Sequence, residues 1–87
     1  MTTAEKIEKF AAKKGLEIKV RSATTWIGSL NKAMSWQQGD RAKAAKMWAY
    51  ATFDKGYNAW VEPTTAHTSL ANLRAAVLED ISFAQED

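Results

Sequence analysis

With 87 residues and a formal net charge of +2, the chain has room for one small hydrophobic core, so 1–87 is read as a single domain. The lack of cysteine removes a disulfide framework, a thiolate metal site and a cysteine nucleophile together, and one histidine leaves little from which to build an acid–base catalyst. No apolar run reaches the roughly 18 residues that span a bilayer, and the N-terminus is charged and amphipathic, so a cytoplasmic chain without membrane contact is expected.

The first segment opens on Thr2 with Glu5 three residues later, the spacing of a capping box, in which each side chain satisfies a backbone N–H of the other. Ile7, Phe10 and Ala11 recur at helical spacing, and Gly15 offers a left-handed stop. Lys6, Lys9 and Lys13 fall on the opposite strip. Leu16, Ile18 and Val20 then alternate with Glu17, Lys19 and Arg21, as in a half-buried strand. From Ser22 or Thr24 the period is helical again, with Trp26, Ile27, Leu30 and Met34 on one side and Gly39 as the stop.

Two periods fit 40–55. As a helix it has Asp40 as N-cap, five alanines and Gly56 beyond its end. As a strand, Met47, Ala49, Ala51 and Phe53 alternate with Trp48, Tyr50 and Thr52, and Asp54 to Gly56 turns the chain into Tyr57–Val61 as a hairpin. Alanine content and matched caps favour the helix. Tyr57 to Glu62, ended by Pro63, reads as an extended piece able to pair with Leu16–Arg21. Thr68 or Ser69 caps a last helix whose Leu70, Leu73, Val77, Ile81 and Ala84 form a stripe to be buried against this chain or another. The expected fold is therefore mainly α with a minor two-stranded β element, in the order α-β-α-α-β-α. The alternative is α+β with a hairpin at 45–61, in the order α-β-β-β-α. Only with that hairpin would the order resemble a double-stranded-RNA-binding domain. The start of the last helix carries Thr68, Ser69 and Asn72 where that family has a lysine cluster, so no residue role is carried over.

Chemistry is sparse. His67 precedes the last helix with Glu62 five residues upstream, and a lone histidine there reads as a surface or capping residue rather than a base. No histidine pair or calcium-loop spacing is present, and the four glycines are too dispersed to cradle a phosphate, so no catalytic residue, metal or small-molecule cofactor is expected. What remains is charge and aromatics. Met1–Lys55 holds eleven Lys and Arg against five acids, whereas Gly56–Asp87 holds one Arg against five. Lys6, Lys9, Lys13, Lys14, Lys19, Arg21, Arg41, Lys43 and Lys46 are candidate phosphate contacts, and Trp36 and Trp60 candidate contact aromatics. Trp26 and Trp48 fit the apolar faces of helices and are expected to be buried.

A non-catalytic binding protein acting on nucleic acid or a nucleic-acid-handling complex through its basic N-terminal half is the first functional expectation. The alternative is a protein–protein interaction module, such as a mobile-element-encoded stoichiometric inhibitor or an adaptor. A homodimer through the last helix is a further possibility.

Overall fold

The computed structural model describes residues 1–33 and 41–84. Its elements run α1 (Thr3–Lys13), β1 (Ile18–Ser22), a 3₁₀ turn (Ala23–Trp26), α2 (Ile27–Ala33), α3 (Arg41–Ala44), β2 (Trp48–Asp54), β3 (Ala59–Val61) and α4 (Leu70–Ala84). The strands form one antiparallel sheet in the order β1-β2-β3. No helix among the described residues is long and apolar enough to cross a membrane.

Both terminal helices begin as their sequences dictate. Glu5 N–H donates to Thr2 Oγ1 at 3.2 Å and Thr2 N–H to Glu5 Oε1 at 3.3 Å, while Gly15 at φ +90° ends α1. Ser69 caps α4 through a 3.1 Å bond from Asn72 N–H. Between them, Ile7, Ala11, Ile18, Val20, Leu73, Val77 and Ile81 form the main core, so α1 and α4 lie side by side on one face of the sheet. Arg74 lies 5.5 Å over the Phe10 ring and covers the seam between the helices. The α4 stripe from Leu73 to Ile81 is thus buried within this chain.

The helix expected over 40–55 is corrected. Only Arg41–Ala44 is helical, and Trp48–Asp54 is the central strand, paired on both sides. Intrinsic propensity loses to tertiary context here, because the alanines are the residues that close packing demands. Ala49 is fully buried beneath the 3₁₀ turn, α2 and α3, in a second core with Ala23, Leu30, Ala44 and Ala66. Ala51 faces the same way, and a larger side chain there would lift whatever lies on it.

The sheet also has three strands rather than two, and β1 pairs with β2, not with the extended piece after Tyr57. The order is α-β-β-β-α with the 3₁₀ turn, α2 and α3 inserted between the first two strands. Asp54 shapes the hairpin by accepting from Gly56 N–H at 2.8 Å and Tyr57 N–H at 3.2 Å. Asn58 follows at φ 54°, a left-handed position that asparagine tolerates. Trp26 and Trp48, expected in the core, are each only half-buried at the margin of a core cluster. Met34, Gly39 and Asp40, the expected lower end of the second helix and cap of the third, lie outside the described residues.

The two sheet edges differ. In β1 the Glu17–Phe53 and Ala23–Met47 bonds fix the ladder phase, so Ile18, Val20 and Ser22 turn their N–H and C=O groups outward. Glu8 reaches across from α1 and accepts Val20 N–H at 2.8 Å, while Arg21 Nη1 donates to Val20 C=O at 2.7 Å and to Glu8 at 2.9 Å. This edge is capped at its middle. Arg21 is half exposed, so the ion pair itself adds little, and the carboxylate bond to the Val20 amide carries most of the effect. Glu8→Ala is expected to cost about 1–2 kcal/mol in urea unfolding, with Glu8→Gln retaining most of that stability. Equal midpoints for Glu8→Ala and the parent chain would contradict this reading of the edge.

Candidate functional site

The candidate basic residues do not converge on one surface. Lys6, Lys9, Lys13 and Lys14 are exposed along α1 on the helix side of the sheet. Lys19 is on the opposite face, its ammonium 4.2 Å from the centroid of the Trp60 ring. Arg21 is held by Glu8. Lys43 and Lys46 belong to α3 and the turn after it, beside the second core. Trp36 lies outside the described residues, as does the side chain of Arg41. Lys9, Lys19, Arg21 and Trp60 do line one shallow groove at the β1 edge, but Glu5, Glu8 and Glu17 line it too. Three carboxylates against three cations leave that groove without a strong positive potential.

Trp60 is where the aromatic expectation and the geometry meet. It sits opposite Phe53 on β2, and the rings meet edge-on with centroids 5.3 Å apart. The contact between the Lys19 ammonium and the same indole joins β1 to β3 across β2, on the face that carries Ala51, the residue paired with Lys19. Ala51 is buried on that face. The indole remains 36% exposed, and its neighbours Val61 and Tyr57 are 51% and 87% exposed.

The β3 edge lacks the protection seen at β1. Phe53 N–H is bonded to Glu17 on the β1 side, so Phe53 and Trp60 form a non-hydrogen-bonded pair and the Trp60 N–H and C=O point away from the sheet. Among the described residues they have no backbone partner. All three β3 residues are exposed.

Beyond Val61 the strand is interrupted. Thr52 lies opposite Val61 and Trp48 opposite His67, so four steps along β2 match six on the returning chain, and two extra residues bulge out opposite Tyr50. Pro63 stands where a ladder donor would be needed, which forces the departure. His67 then restores pairing through bonds of 2.8 and 2.7 Å with Trp48. Tyr50 is left with its N–H and C=O pointing into the gap, without a backbone partner among the described residues.

The bulge opens a cleft of about 470 Å³ between the sheet, the returning loop and α4. Tyr50 and His67 stack within it at 6.1 Å between centroids, and the Tyr50 hydroxyl donates to Asp80 on α4. Burial, reinforced by the hydrogen bond and the negative charge of Asp80, holds the Tyr50 phenol well above its ordinary pKa. Burial pushes the His67 imidazole below its usual value of 6.5, opposed by the Asp80 carboxylate. Reading the sequence gave His67 little weight and did not single out Tyr50, Thr64, Thr65 or Asp80. The available signal was Pro63 in mid-strand, since an interrupted ladder must leave groups on the neighbouring strand unpaired.

A depressed folded-state pKa means that unfolding takes up a proton on His67. The associated stability is complete above about pH 6.5 and falls as the pH drops toward the folded-state value. His67→Phe, which keeps a ring against Tyr50 without a titrating group, is expected to lose less stability than the parent chain between about pH 7.5 and about pH 5.5 in urea unfolding. Identical losses would show that His67 does not carry that dependence.

No protein-family model, curated protein or solved structure matches this chain.

Proposed function

We propose that this protein is a non-catalytic interaction module that takes an extended segment of a partner protein onto the outer edge of β3, with Trp60 at the contact centre. The asymmetry of the sheet carries the reading: one edge is closed by Glu8 and Arg21, while the other presents the Trp60 N–H and C=O between exposed apolar side chains. An unprotected edge is a template for strand addition, and folded proteins ordinarily blunt such edges unless they are used. Side chains on alternate faces of β3 add selectivity, Trp60 on one and Val61 on the other. An inhibitor or adaptor works in this way, by occupying a surface rather than by turning over a substrate.

Partner recovery from a nuclease-treated lysate by the parent chain, set against Trp60→Ala and Trp60→Pro, tests the proposal. Binding to nucleic acid is the second reading, supported by the exposed strip of Lys6, Lys9 and Lys13 on α1. It requires affinity that falls steeply with salt and recovery that nuclease abolishes.

A further inference from the structure

The cleft beside Tyr50 has features that strand addition alone does not need. Glu62, Glu79 and Asp80 line it, and among the described residues neither lysine nor arginine does. With His67 biased toward its neutral form, no cation among the described residues lines the wall beside those carboxylates, of which Glu62 accepts from the Ser29 hydroxyl and Asp80 from the Tyr50 hydroxyl. The Tyr50 N–H and C=O open toward the same space, a donor and an acceptor without backbone partners among the described residues. The near-parallel Tyr50 and His67 rings add aromatic groups to the lining. Val61 belongs both to β3 and to the lining, so a strand docked on β3 passes the mouth of the cleft, and a partner residue set opposite Val61 shares its face of the sheet.

We propose that the cleft receives the guanidinium of an arginine carried by the docked segment at the position opposite Val61. Guanidinium fits these groups better than ammonium, because its planar fork of donors can serve carboxylates and the Tyr50 carbonyl together while its face lies against a ring. This assignment rests on strand addition at β3, and its test reads a different set of amides.

The ¹⁵N-labelled chain is titrated with n-butylguanidinium, with n-butanol and butyrate as controls, and followed by NMR. Saturable shifts centred on Tyr50, Thr64, Thr65 and His67 are expected, with a dissociation constant on the order of millimolar for so small a probe. Butyrate should leave these amides unmoved. Glu79→Gln should weaken binding about threefold or more with the rest of the spectrum unchanged, since the Glu79 carboxylate has no hydrogen-bond partner among the described residues. Asp80→Asn provides a second variant in which the Tyr50 hydroxyl keeps an acceptor. Equal shifts with n-butanol, or unchanged affinity in both variants, would overturn the assignment and leave strand addition standing. Tighter binding of free arginine than of n-butylguanidinium would make the cleft a small-molecule site and overturn its link to a docked segment. Guanidinium binding by a chain whose β3 edge takes no strand would overturn that link as well.

Discussion

Leu73→Ala is expected to destabilise the fold by about 2–5 kcal/mol, the range for removing a leucine from a site that cannot collapse. Leu73 is 0% exposed, in the first turn of α4, and belongs to the cluster in which α1 and α4 meet β1. Truncation leaves a void bounded by three elements that other contacts hold apart, so relaxation recovers little. A domain of this size has a total stability of about 5–15 kcal/mol, and a loss of this order lowers the urea midpoint severely. Because the stripe is satisfied inside one chain, the loss should be the same at low and high protein concentration. A cost below about 1 kcal/mol, or a parent midpoint that rises with concentration while the variant's does not, would place the α4 stripe between copies instead.

Trp60→Ala is expected to weaken partner binding by at least 2 kcal/mol, about thirtyfold, as when a central interface tryptophan is truncated. Trp60→Pro should add a further loss of about 1 kcal/mol, because it also removes the N–H that faces the incoming strand. The comparison is informative because of the ladder phase. The bonds from β3 to β2 come from the pairs Thr52–Val61 and Asp54–Ala59, so proline at 60 removes no ladder donor. Both variants lose the Phe53 and Lys19 contacts, and unfolding measured alongside binding separates that effect from the interface. Equal affinities for alanine and proline would mean that the indole makes the contact and the backbone edge does not. Retained affinity in both would remove the site.

How much of this was legible depends on the range of the interactions. The α1 capping box and the α4 stripe are local patterns, and both ends of the fold could be read from them. The middle could not, because Ala49 and Ala51 look like helix formers until the layers that cover them are known. The alternation of Trp48, Tyr50 and Thr52 was visible, but choosing it required a partner for β1, which is tertiary information. Trp60 could be singled out because, in an extended piece, it takes the side opposite Tyr57 and Val61. Lys19 and Arg21 could be listed as cations, yet not seen to be engaged by Trp60 and Glu8, since those contacts join segments far apart in sequence. The cleft was least legible of all: Tyr50, His67 and Asp80 come from two strand segments and a helix, and only the register across the bulge brings them together.

Amide hydrogen exchange at Trp60, in the free chain and in the complex with the partner recovered from lysate, bears on strand addition most directly. The free edge leaves this N–H pointing outward without a backbone acceptor among the described residues, so it should exchange rapidly alone and become strongly protected in the complex. A Trp60 amide that exchanges equally fast in both states, with the partner bound, would show that β3 takes no strand.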